Sequence, residues 1–149
     1  MSGVVAVYGG GGAKAAAQLG AERALREAGL RPVAYVGCSM GGVVAAALAL
    51  GWEPEAVEAR MVELGRRPIA VVDPLIALLG VRRPARLKPG PLREAFQALF
   101  GHARFGDMVR RLTVAVTDLD TGELVLFGSG GREAPLVEIG RASCRERVW

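Results

Sequence analysis

The chain opens with an apolar run, Val4-Val5-Ala6-Val7, that stops at a string of glycines from Gly9 to Gly12. A short uninterrupted run of this kind predicts a fully buried strand. From Ala13 to Gly29 helix formers dominate, with Leu19, Ala24, Leu25 and Ala28 near helical spacing, and Gly29 is placed to cap the helix end. A second apolar run, Val33 to Val36, predicts another strand. Strand, helix and strand so closely spaced form a βαβ unit with parallel strands. Gly41 to Leu50 predicts a second helix, and Glu53 to Gly65 a third, with Pro54 in its first turn. Between Arg66 and Pro91 five prolines interrupt any period, which predicts short helical pieces and loops forming a cover. Pro91 to Gly101 has the pattern of an amphipathic helix. Arg111 to Gly130 predicts two strands joined by a turn at Asp120-Thr121-Gly122.

Composition narrows this to one α/β domain. With 149 residues, 51% of them hydrophobic, the chain can bury a core. Scarce aromatics and 21 glycines fit helices packed closely on a sheet. Two cysteines, Cys38 and Cys144, do not make a disulfide framework. The longest apolar run, Val43 to Leu50, is far short of the roughly 20 residues of a membrane-spanning helix. The first residues lack the basic region of a secretory signal, so a cytoplasmic location is expected. The formal charge of +4 comes almost wholly from arginines scattered among glutamates and alanines, which does not point to nucleic acid. One basic cluster, Arg82, Arg83, Arg86 and Lys88, reads as a solvated loop. Its other reading is a patch for anionic lipid head groups, each basic residue contributing ~1 kcal/mol near such a surface.

The chemistry concentrates at two glycine-rich junctions. Gly37-Cys38-Ser39-Met40-Gly41 fits G-x-S-x-G between a predicted strand and a predicted helix. Either Ser39 is a nucleophile held on a tight turn, or it caps the following helix. The first junction, Gly9 to Ala15, supports several readings. Gly10, Gly12 and Ala15 satisfy the dinucleotide fingerprint G-x-G-x-x-A, but that reading needs an acidic residue at the end of the second strand, where Gly37-Cys38-Ser39 stands. No Lys-Ser or Lys-Thr pair follows for a P-loop. The same backbone amides also suit the oxyanion of a tetrahedral acyl intermediate. Parallel strands would bring both loops to one edge of the sheet, where the helix start adds a partial positive charge beside Ser39. A Ser39–Asp73–His102 triad follows the chain order of α/β-hydrolases, but the motif here follows the second strand and His102 reads as a loop residue.

Gly9 to Ala15, Val36 to Gly42 and Leu112 to Phe127 together resemble the patatin-like phospholipase family, over nearly the whole chain from Val4 to about Glu138. The resemblance implies a three-layer α/β/α sandwich with a mostly parallel sheet. It implies hydrolysis of lipid acyl esters by a Ser-Asp dyad, without metal or cofactor, and peripheral contact with a lipid surface. By position Ser39 matches the nucleophile, within the motif residues Gly37, Cys38, Met40 and Gly41. Gly10, Gly11 and Gly12 match the oxyanion loop, and Lys14 its basic residue. Ala15 stands where the family usually has glycine. Asp118 and Asp120 match a structural strand pair. The family's dyad aspartate lies in an Asp-Gly motif, and this chain contains no Asp-Gly pair.

The end of the chain carries a separate expectation. Ile139 to Val148 reads as the translation of a common sequencing-library adapter, which makes residues 1–138 a partial domain and 139–149 a non-native tail. Arg141-Ala142-Ser143 also falls where the family has R-A-S. The tail holds three arginines and one glutamate, so without it the charge falls to +2. An inactive gene fragment and a dinucleotide-binding domain are the readings that compete with the hydrolase.

Overall fold

A computed structural model describes residues 3–66, 89–118 and 121–139. The basic cluster, Asp73, Asp120, most of the predicted cover and the tail beyond Ile139 lie outside the described residues. Four strands form one sheet in sequence order: β1 (Val4–Tyr8), β2 (Pro32–Cys38), β3 (Arg111–Thr117) and β4 (Leu124–Gly128). β1, β2 and β3 run parallel, and β4 returns antiparallel to β3. This is the mostly parallel α/β sheet expected from the sequence. Among the described residues four helices accompany it: α1 (Ala17–Glu27), α2 (Met40–Ala49), α3 (Pro54–Gly65) and α4 (Pro89–Phe100).

The first helix starts later than its composition predicts. Gly11 and Gly12 both take positive φ, which only glycine adopts without strain, and a 3-10 turn at Gly12–Ala16 precedes α1. At the other end Gly29 takes φ +74 and Leu30 N–H bonds back to the Leu25 carbonyl, closing the helix as its glycine suggested. Pro54 occupies the first turn of α3, where its missing N–H costs nothing.

Alternation decides which face of the sheet is covered. Ala6, Tyr8, Tyr35, Leu112, Val114, Val116, Val125 and Phe127 are buried and share one face. Against it lies α2, apolar all round and buried from Gly41 to Ala49, as a helix enclosed by other elements should be. Trp52, Phe96 and Phe100 extend this core from α2 toward α4. The opposite face shows Val5 (50% exposed), Val7 (70%) and Leu126 (37%). The expectation that the first strand is fully buried is therefore corrected: an apolar run does not reveal whether both of its faces have partners. Among the described residues, two of the sandwich's three layers are present.

After β4 the chain folds back on the core. Phe105 N–H donates to the Ala134 carbonyl and Leu136 N–H to the Ala103 carbonyl. Leu136, Val137 and Ile139 are buried, and a Cβ on Gly42 would meet Ile139 Cγ2 at 3.6 Å.

Candidate active site

The two glycine-rich junctions meet at the carboxyl edge of the sheet. Tyr8, the last residue of β1, pairs in register with Gly37, so the loops leave their strands at the same level. Ser39 then turns the chain from β2 into α2 with φ 51 and ψ −133, the sole positive φ outside glycine among the described residues. Such a conformation costs about 1–3 kcal/mol and is retained where the surroundings impose it.

Close backbone contacts supply that constraint. A Cβ on Gly37 would lie 2.4 Å from Gly42 Cα, and one on Gly41 would lie 2.3 Å from the Gly9 carbonyl oxygen and 2.4 Å from that of Tyr8. Real Cβ atoms do not approach so closely, so both positions require glycine. The start of α2 is thereby pressed onto the ends of β1 and β2. Ser39 is half-buried at the N-cap of α2, and its side chain makes no capping hydrogen bond. The capping role for its hydroxyl is thus excluded.

The glycine loop reaches the serine directly. A Cβ on Gly10 would lie 3.2 Å from Ser39 Cβ and 3.8 Å from its Oγ. Gly10, Gly11, Gly12 and Lys14 are exposed around this point, and Gly11 bends the loop with φ +148. Cys38, also exposed, is the last residue of β2 and faces away from the Tyr35 side of the sheet. Met40, half-buried, packs against the core at the start of α2.

Other candidate acids and bases are engaged or placed elsewhere. Asp107 accepts a hydrogen bond from Arg104 N–H (2.8 Å) in a short 3-10 turn. Asp118, just beyond β3, accepts from Thr121 N–H (3.2 Å) in the turn toward β4. His102 sits exposed in the turn after α4 and makes no hydrogen bond with Ser39. The described groove between α3 and α4, lined by Arg60, Glu63, Leu64, Ala95, Ala98 and Leu99, includes none of the loop residues.

Residues 6–145 match the family model described as patatin-like phospholipase. The chain belongs to the patatin-like phospholipase family. It is also similar to uncharacterized NTE family proteins of Mycobacterium bovis and of two strains of Mycobacterium tuberculosis. Each is 29% identical over 133 residues, or 89% of this chain and 36% of the relative. Among solved structures it is similar to the type III effector protein ExoU, with TM-score 0.49 and 20% identity over 95% of this chain and 38% of that one. The patatin-like chain thus spans little more than a third of the length of these relatives.

Sequence reasoning missed a polar cluster beneath the loops. Glu22 on α1 is fully buried; its Oε2 accepts from the Tyr8 hydroxyl (2.7 Å), and its Oε1 accepts from the Tyr35 hydroxyl (2.9 Å) and Arg26 Nε (2.9 Å). Burial, then the carboxylate beside it, pushes the Tyr35 phenol up to about 12 and raises that of Tyr8 beyond the usual tyrosine range. Arg26 also pairs with Glu53, which precedes α3. In the sequence Gln18, Glu22 and Arg26 stand at successive four-residue spacings, which puts them on one helix face without showing that this face is buried.

Proposed function

We propose that this chain carries the nucleophile and the oxyanion donors of a lipid acyl-ester hydrolase. In this reading Ser39 Oγ attacks the ester carbonyl, and the amides of Gly10, Gly11 and Gly12 receive the charge that develops on the carbonyl oxygen. A carboxylate takes the Ser39 proton, passes it to the leaving alcohol, and later activates water to release the acyl group. That base is an aspartate of an Asp-Gly motif, which these 149 residues do not contain. Lys14, exposed beside the loop, attracts the anionic part of a lipid substrate. The contact with lipid is peripheral, and no described helix is long and apolar enough to cross a membrane.

One observation carries this reading: an uncapped serine held at positive φ, with Gly10 packed against its Cβ. A glycine loop for a dinucleotide has no need of that serine. The test is labelling by a fluorophosphonate, together with hydrolysis of a short-chain p-nitrophenyl ester. The chain is expected to label slowly at Ser39 and to turn over the ester only weakly, since general-base assistance to either attack is typically worth ~10²–10⁴-fold. Ser39→Ala is expected to abolish both signals. Undiminished labelling of that variant overturns the assignment.

A further inference from the structure

Three residues of α1 form a polar stripe on its inner side, each bonded to a different part of the fold. Gln18 Nε2 donates to the Gly9 carbonyl (2.7 Å), at the root of the glycine loop. One turn on, Glu22 binds Tyr8 and Tyr35, which belong to the two strands that lead into the loops. A further turn on, Arg26 holds Glu22 and Glu53 together.

A core of alanine and valine has no need of a buried carboxylate with three donors. Burying a charge is expensive, and apolar replacements of similar volume are often as stable or more so. What such a cluster provides is a defined geometry, because three directional bonds fix positions that apolar packing leaves free to slide. The elements it fixes adjoin the site. Tyr8 immediately precedes Gly9, and Tyr35 lies four residues before Ser39 on β2. The carbonyls of Tyr8 and Gly9 are also the atoms on which Gly41 rests.

We propose that Gln18 and Glu22 are positioning residues that hold the glycine loop at its working distance from Ser39. Neither touches substrate. Gln18 pins the loop by its first carbonyl, and Glu22 sets the height of β1 against β2 through the two tyrosine hydroxyls. The inference rests on the reading of Ser39 as nucleophile, and it has a readout of its own.

That readout is amide hydrogen exchange at the hydrogen-bonded positions of this segment, the paired end of β1 from Ala6 to Tyr8 and Lys14, whose N–H bonds the Gly11 carbonyl, compared among Gln18→Ala, Glu22→Gln, Tyr8→Phe and the original chain. Val57→Ala, a cavity in α3 among buried residues, serves as the control for plain destabilisation. Gln18→Ala and Tyr8→Phe are expected to raise exchange in this segment about tenfold or more, while Val57→Ala raises it no more than elsewhere in the chain. The rate of fluorophosphonate labelling at Ser39 should fall about ten- to a hundredfold in the same two variants and stay level in Val57→Ala. If Glu22→Gln does not fold, Tyr8→Phe and Gln18→Ala still decide the matter, since one removes a single hydroxyl and the other lies at the half-buried end of the stripe. Unchanged exchange in both, or loosened exchange with labelling undiminished, overturns the proposal. Labelling that persists in Ser39→Ala instead removes the nucleophile assignment, and the exchange result still reports whether the stripe holds the loop.

Discussion

Gly10 and Ser39 stand so close that a methyl group on the glycine would lie 3.2 Å from the serine Cβ. Both atoms hang on backbone, so neither can swing aside as a flexible side-chain tip would. An alanine at position 10 must therefore push the loop outward by a few tenths of an ångström. Its amides would then miss the place where oxyanion charge develops. Gly10→Ala is expected to lower Ser39 labelling about tenfold or more, while thermal unfolding shifts little because Gly10 is exposed. A labelling rate equal to that of the original chain would separate the loop from the chemistry of Ser39.

The glycines of the serine motif have a different role, and their replacement should be felt as lost stability. A Cβ at Gly41 would stand 2.3 Å from one backbone oxygen and 2.4 Å from another, and a Cβ at Gly37 would stand 2.4 Å from Gly42 Cα. Relief requires moving the start of α2, the most buried helix of the described fold. Gly41→Ala and Gly37→Ala are each expected to cost about 3 kcal/mol in denaturant unfolding. Gly20 is the contrast, inside α1 with no positive φ and nothing within 4 Å of the place a Cβ would take. Gly20→Ala is expected to stabilise by about 0.5–1 kcal/mol through helix propensity alone.

How much of this was legible in the sequence follows from which contacts are local. The strands, the helices and the serine turn announce themselves by period and by glycine, because propensity and turn chemistry act over a few residues. The open side of β1 did not, since Val5 and Val7 look the same in a sequence whether or not anything lies over them. Glu22 is the sharper example. On a helix, Gln18, Glu22 and Arg26 ordinarily read as a solvent-facing row, and only the fold shows that this row turns inward onto Tyr8 and Tyr35. The pairing of Gly10 with Ser39 lay between these cases. Parallel strands predicted that the loops share an edge, and the distance between them came from the packing of Gly41 on Tyr8 and Gly9.

The exposed face makes its own prediction. Val5 and Val7 on β1, and Leu124 and Leu126 on β4, are exposed on one face of the sheet, and among the described residues these are its two outer strands. Exposed apolar side chains beside outer strand edges favour association between molecules. The 149-residue chain is expected to self-associate as its concentration rises in gel filtration. Val5→Thr with Val7→Thr, which keeps β-branched side chains suited to a strand, should shift it toward the monomer. A chain that elutes as a monomer at every concentration would show that this face does not drive association.

The two tyrosines offer a direct reading of the cluster beneath the site, because Tyr8 and Tyr35 are the only tyrosines in the chain. Burial, followed by hydrogen bonding to the Glu22 carboxylate, favours the neutral phenol in the folded state and raises both above the ordinary value near 10. A folded-state value above the unfolded one means that the unfolded chain gives up these protons first. The stabilisation is therefore complete below about pH 10 and is lost as pH climbs toward about 12, where Tyr35 ionises in place. Tyrosinate absorbance should stay low through the usual tyrosine range and then rise together with the loss of helical circular dichroism. Tyr35→Phe removes one of the two shifted groups, so it should weaken the pH dependence of stability in that window and leave a smaller absorbance step. Ionisation of both tyrosines near pH 10 with the helices intact would mean that the hydroxyls are not bound to Glu22 in solution.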